Sequence, residues 1–177
     1  MSQYFDLSIR RIEIKKPKRD LKPVIKLQDE VNKTLLHDEY YYPTDERTIQ
    51  ECLDGDYILL GVYNKDKLIA ASFAFEGGLF FSKPITDWME IPGNKIMCHE
   101  FVVVDMEYRG NGIQKRFMDA TIREARQMGY DTIWGCAHPN NTPSVCSIES
   151  TGYKFADQFV VDGWPRNVYY RSTSIQR

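Results

Sequence analysis

Residues 101–118 constrain the fold more than any other stretch of this chain. They read Phe-Val-Val-Val-Asp-Met-Glu-Tyr-Arg-Gly-Asn-Gly-Ile-Gln-Lys-Arg-Phe-Met. Three consecutive valines suit a β-strand, because β-branched side chains pack well on a pleated surface. Gly110 and Gly112 then mark a turn, and the pattern opens a helix that runs to about Gln127 and stops at Gly129. The short apolar run Thr132 to Ala137 follows, and a strand–helix–strand unit of this kind implies parallel pairing of its two strands.

The turn also has chemistry. Backbone N–H groups at a helix N-terminus have no helical acceptor and form an anion site. Glycine lets a phosphate approach them without a Cβ in the way. Arg109, Lys115 and Arg116 add positive charge beside the turn. The segment is no P-loop, since no Gly-Lys-Ser/Thr follows, and it lacks the third glycine of the dinucleotide fingerprint. Taken alone, the glycines fit a phosphate or pyrophosphate site, or a tight turn that needs them only for packing.

The remaining elements follow from periodicity. Phe5 to Ile14 alternates as a first strand. After Asp20, with Pro23 in the first turn, Leu21, Val24, Leu27, Val31 and Leu35 form a helical stripe. Thr44 is placed to cap a second helix with Ile49, Cys52 and Leu53 inward, ending at Gly55. Tyr57 to Tyr63 and Leu68 to Phe75 read as a hairpin, and Gly77 to Asn94 as a long connection. Ile96 to Asp105 is the valine-rich strand. Pro139 to Pro143 leads into a short helix ending near Gly152. Lys154 to Asp162 and Val168 to Ser174 close the chain as two strands around the turn Asp162-Gly163-Trp164-Pro165. The expected fold is α/β (mixed α+β): a central, mixed, largely antiparallel sheet of about seven strands, helices on both faces, one domain over residues 1–177.

Composition excludes several classes. The 177 residues carry a formal net charge of -2, where a nucleic-acid binder would show a basic excess, so no nucleic-acid partner is expected. The basic run Lys15 to Arg19 reads as a solvated turn. No apolar run approaches the roughly 20 residues of a membrane span, and the polar first residues do not resemble a signal peptide. Cys52, Cys98, Cys136 and Cys146 are widely spaced, with no Cys-x-x-Cys. Free thiols, no metal and a reducing, cytoplasmic setting are expected.

Two blocks together resemble the GNAT superfamily of acyl-CoA-dependent N-acyltransferases. Arg109-Gly110-Asn111-Gly112-Ile113-Gln114 resembles its pyrophosphate motif, Arg/Gln-x-x-Gly-x-Gly/Ala, preceded by Val102-Val103-Val104. Downstream, His138 to Ser144 and then Glu149, Gly152 and Tyr153 are similar to its Asn-x-x-Ala/Ser … Glu-x-x-Gly-Phe/Tyr segment. The resemblance is clear over Ile96 to Tyr153 and consistent in element order elsewhere.

The resemblance implies a GNAT-like domain whose strand at Val102 to Val104 splays from the strand at Thr132 to Ala137. The pantetheine arm of acetyl-CoA, the cosubstrate, would lie in the gap along the backbone of Val102, Val103 and Val104. Arg109, Gly110, Asn111, Gly112, Ile113, Gln114 and Lys115 would hold the pyrophosphate. Asn141 would contact the cosubstrate near its thiol end, with Ser144 beside it. The acetyl group would pass directly to a primary amine of a small molecule or amino-acid-like metabolite, with no covalent enzyme intermediate, in a monomer or homodimer. A peptide or protein amine is the near alternative. From other classes, a non-catalytic acyl-CoA sensor and a plain nucleotide-binding domain remain.

Two positions depart from the family pattern. Gln114 stands where its motif ends in a small residue, and Ile148 stands where much of the family has the tyrosine that protonates the leaving thiolate. Isoleucine donates no proton, so the general acid stays unassigned. For the base, Glu100 interrupts an apolar strand and is the candidate base or amine-binding group. Alternation places it on the face of Val102 and Val104, opposite His99. His138 is a candidate proton relay and His37 a weaker one. The acceptor side would come from His37 to Pro43, Gly77 to Asn94 and Trp164 to Tyr170, all rich in aromatic residues.

Overall fold

The computed structural model describes residues 8–11, 20–77, 79–80, 83–84, 87, 90–93 and 95–174. β1 (Ser8–Arg11) is the described part of the first expected strand; its ends and the basic run Lys15 to Arg19 lie outside the described residues. α1 (Lys22–Asn32) starts with proline in its first turn and buries Val24, Leu27 and Val31, with Gln28 on the same stripe. Leu35 lies beyond the helix end.

α2 (Glu46–Cys52) is capped by Asp45, whose carboxylate accepts the Thr48 N–H at 3.0 Å. The expectation that Thr44 caps it is therefore corrected. Asp45 has the better-placed acceptor, and the Thr44 hydroxyl is turned to a different partner. β2 (Tyr57–Asn64) and β3 (Lys67–Glu76) form the expected hairpin. The connection after it carries a small separate hairpin, β4 (Leu79–Phe80) and β5 (Lys83–Pro84).

β6 (Ile96–Val104), α3 (Ile113–Gln127), β7 (Thr132–Ala137) and α4 (Thr142–Ser150) build the strand–helix–strand unit and its following helix. β8 (Lys154–Val161) and β9 (Trp164–Ser172) end the sheet. Their turn is tighter than expected. Asp162 and Gly163 adopt φ of 51° and 84°, which suits a two-residue turn matched to strand twist, so β9 starts at Trp164.

The main sheet has seven strands in the order β1-β2-β3-β6-β7-β9-β8, and β6–β7 is its parallel pair. One core lies under α3 and α4 and holds Leu60, Phe117, Ile133 and Tyr169. The other lies under α1 and α2 and holds Leu27, Leu59, Phe73 and Phe101. Val103 packs into the second core, while Val102 and Val104 pack against the first. The valine-rich strand is covered on both faces.

Candidate active site

The parallel pairing of β6 with β7 covers Ile96 to Cys98 on one strand and Thr132 to Trp134 on the other, then ends. β6 continues to Val104 and β7 to Ala137, so the strands splay and the β7-side edge of β6 is left without a strand partner. Gly135 sits at the fork. A Cβ there would lie 3.0 Å from the His99 carbonyl oxygen, so the close approach of the two backbones favours glycine. A cleft of about 620 Å³ opens from this fork, and its walls include Val102, Val103, Val104, Gly110, Gly112 and Asn141.

One end of the cleft is the start of α3. Gly112 adopts a left-handed φ of 68° and offers no side-chain cap. The first helical bond there runs from Arg116 N–H to the Gly112 carbonyl, which leaves the N–H groups of Ile113, Gln114 and Lys115 without a helical acceptor. A Cβ built at Gly110 or Gly112 meets nothing within 4 Å, so the space before these donors is open. A phosphate group fits such a cradle on charge and shape.

The side chains around it have defined tasks. Ile113 is buried and anchors the helix. Arg109 donates from Nε to the Val104 carbonyl at 3.2 Å and from Nη2 to Thr34 Oγ1 at 3.1 Å. Asn111 donates to the Tyr108 carbonyl at 2.9 Å. Lys115 is exposed and stands outside the cleft lining. Gln114 donates to Ser144 Oγ at 3.0 Å, joining the starts of α3 and α4. Asn141 caps α4 by accepting the Ser144 N–H at 3.4 Å, and its amide nitrogen donates to the Tyr40 carbonyl at 3.5 Å.

Glu100 stands at the other end, and not where simple alternation puts it. The β3–β6 ladder shifts register between Phe73 and Ala74, so Phe101 faces Phe73, His99 faces Ala74, and Glu100 is the extra residue of a bulge. His99 thereby turns to Ser72, with Nε2 and the hydroxyl 2.8 Å apart. Glu100 turns to the α1–α2 side, the reverse of the expected arrangement. Its Oε1 accepts from Thr44 Oγ1 at 2.9 Å, and its Oε2 accepts from the Cys98 thiol at 3.7 Å.

The Glu100 side chain is open to the cleft, yet protein walls surround it and displace bulk water. This desolvation raises its pKa, against the lowering effect of the Thr44 and Cys98 hydrogen bonds. The same walls, and then the Glu100 charge, push the thiols of Cys52 and Cys136 up to about 11. Desolvation holds His99 down at about 4, so its ring is neutral near pH 7.

A buried network holds this end together. Gln28 accepts from the Tyr41 hydroxyl and the Thr44 N–H, and donates to the Thr44 carbonyl at 3.1 Å. Gln28 and Thr44 were not singled out from the sequence as site residues, and Tyr41 entered only within the acceptor-side segment His37 to Pro43. The available signal was Gln28 itself, a polar residue on an otherwise apolar helical stripe.

His138 lies behind the cleft, not in its lining. It is buried between Tyr40 and Trp164, with ring centroids 5.2 Å and 6.4 Å away, and its Nδ1 accepts the Asn140 N–H. Desolvation, and then Arg166, lower its pKa. His37 stacks on Tyr40 and pairs with Glu39 at 3.4 Å. Ile148 lines the cleft and is buried, and Ser147 commits its hydroxyl to the Pro143 carbonyl at 2.9 Å. Among the described residues the four cysteines are free and no group of His, Cys, Asp or Glu is arranged to hold a metal. No described helix is long and apolar enough to cross a membrane.

Residues 25–153 match the acetyltransferase (GNAT) family model. No curated protein matches the chain in sequence. Solved structures match its fold. The ribosomal-protein-S18-alanine N-acetyltransferase from Escherichia coli is 16% identical with a TM-score of 0.66, over 97% of this chain and 96% of that one. An N-acetyltransferase from Staphylococcus aureus Mu50 is 16% identical with a TM-score of 0.70, over 96% and 99%. The NatC complex bound to Gag peptide and CoA contains a chain 11% identical with a TM-score of 0.71, over 95% and 99%.

Proposed function

The chain belongs to the acetyltransferase (GNAT) family, whose cosubstrate is acetyl-CoA, and from that premise we propose that it moves an acetyl group from acetyl-CoA to the primary amine of a small molecule or amino-acid-like metabolite. One observation carries the reading. A single cleft joins the uncapped start of α3, a strand edge freed by the splay, and a desolvated carboxylate at Glu100. Gly110 to Lys115 would hold the pyrophosphate, the free edge of β6 at Val102 to Val104 the pantetheine arm, and Asn141 with Ser144 the region near the thiol.

In this reading Glu100 takes a proton from the acceptor's ammonium group, and the neutral nitrogen attacks the thioester carbonyl carbon. Negative charge on the carbonyl oxygen is met by a backbone N–H of the free β6 edge. The C–S bond breaks with its electron pair going to sulfur. The nitrogen, positively charged after attack, loses its second proton to solvent. Ile148 donates nothing, so the thiolate takes its proton from solvent, and Glu100 returns its own proton to solvent. The products are an N-acetyl amide, free CoA thiol and one net proton. The protein acts as a single domain, monomeric or homodimeric, in a reducing cytoplasmic compartment that suits its free thiols.

The test is free-thiol release from acetyl-CoA across a panel of amines, run beside thermal-shift binding. Amine-dependent release supports the transferase. Stabilisation by acetyl-CoA without release on any amine or peptide assigns the protein to cosubstrate binding alone. No stabilisation by acetyl-CoA overturns the reading.

A further inference from the structure

Arg166 is an anomaly of charge. It is only 9% exposed, the one lysine or arginine that is buried among the described residues. Its Nη1 donates to the Glu39 carbonyl at 2.7 Å, and it makes no ion pair among the described residues. Less buried cations do find carboxylates: Lys95 meets Asp56 at 3.0 Å and Lys67 meets Asp105 at 2.8 Å. A guanidinium offers five N–H donors, and one main-chain carbonyl leaves most of that capacity unused. Removing such a charge from water is costly unless an anion compensates.

Its position shows where an anion would come from. Cys136 of β7 stands opposite Val168 of β9, and Arg166 lies two residues along the same strand, on the same face. Val168 and Trp134 share a core patch on that face with Cys98, the residue that bonds Glu100. Glu100, Cys136 and Arg166 therefore stand across three adjacent strands, β6, β7 and β9, on one side of the sheet. Cys136 is exposed and lines the cleft with Glu100, while Arg166 stands behind that lining, as His138 does. Desolvation, and then the Glu100 charge, raise the pKa of the Cys136 thiol, and Arg166 lowers it. The segment between α1 and α2 covers this face at both ends, through Thr44 on Glu100 and the Glu39 carbonyl on Arg166.

We propose that Arg166 is the anion-binding half of the acceptor site, and that the acceptor is an amine bearing a carboxylate, its ammonium group at Glu100 and its carboxylate at Arg166. Two strand spacings separate the backbones of β6 and β9 by roughly 10 Å, before the splay widens the gap. Side chains reaching inward from each strand leave room for an amine and a carboxylate several bonds apart. Arg166 supplies a forked, always-charged donor pair for the carboxylate, which a lysine or a neutral amide does not reproduce. The assignment rests on the transferase reading and narrows its acceptor.

The test is a ratio. kcat/KM is measured for β-alanine and γ-aminobutyrate against β-alaninamide and propylamine, which lack the carboxylate, in the wild type, Arg166→Lys and Arg166→Gln. The wild type is expected to favour the carboxylated amines by roughly 10–100-fold, as for a charge-assisted hydrogen bond. Arg166→Gln brings the ratio near unity and Arg166→Lys restores part of it. A purely structural arginine lowers all four values together and leaves the ratio unchanged. A wild-type ratio near unity, or one that survives Arg166→Gln, overturns the assignment while the transferase reading stands. Stabilisation by acetyl-CoA with no release on these four amines also overturns it. No stabilisation by acetyl-CoA removes the transferase reading, and this inference with it.

Discussion

At the scale of single residues, the charge states in the cleft make two predictions. As the proposed base, Glu100 would act only when deprotonated, and desolvation raises its pKa, so the acidic limb of kcat/KM should lie above the usual glutamate range. The Thr44 hydrogen bond pulls the other way. Thr44→Val should move that limb to higher pH, and Thr44→Ser should return it. Glu100→Gln should lower kcat by roughly 100-fold or more while the thermal shift with acetyl-CoA persists.

His99 supplies the second. Its ring is buried, and its folded pKa of about 4 lies below the ordinary histidine value of 6.5. Between those values the unfolded chain binds a proton that the folded chain refuses, so stability rises with pH in that window. Acidification from about pH 6.5 towards 4 should therefore lower the urea midpoint, and His99→Gln should flatten that slope.

At the scale of elements, the cleft exists because a parallel pair is interrupted. Gly135 lets β6 and β7 meet at His99 before they part. Gly135→Ala places a methyl group 3.0 Å from a main-chain oxygen, which cannot rotate away as a side chain can. The cost should be about 1–3 kcal/mol in urea unfolding. Because the strain falls at the fork, the thermal shift with acetyl-CoA should shrink as well. A variant that loses stability while keeping the full shift would show that the fork tolerates the methyl group. The start of α3 is a second element-level device: a helix of 15 residues without a side-chain cap keeps its N–H groups free for a ligand.

At the scale of the whole molecule, one sheet carries core packing on both faces and uses each to aim half of the cleft. Phe117 is fully buried under α3 and fixes the helix whose start faces the cleft. Phe117→Ala should cost about 3–5 kcal/mol. Acetyl-CoA at a hundred times its dissociation constant should return about 2.7 kcal/mol of that loss to a variant whose cleft still forms. Calorimetry with and without the ligand reads both values. Failure of acetyl-CoA to recover any of the loss would mean that the α3 core and the cleft cannot be separated.

Local pattern alone determined the order of the main-sheet strands and the α-helices, because periodicity, glycines and prolines act within a few residues, and it missed the small β4–β5 hairpin. It gave the extent of β7 and the strand–turn–helix of residues 101–118, and with them the family resemblance. It failed where a longer-range contact competed. Thr44 looked like a cap until Asp45 took the cap and Glu100 took the hydroxyl. Trp164 and Pro165 looked like turn residues until two residues sufficed. Strict alternation put Glu100 on the wrong face, since a bulge depends on how β3 pairs with β6 and leaves no mark in β6 itself. Gln28 and Thr44 are distant in the chain and meet only where α1 packs beside the segment before α2, and Cys136 comes near Arg166 only through the β7–β9 pairing. Tertiary structure alone decided which charges lost their water, because desolvation depends on the walls that close around a group.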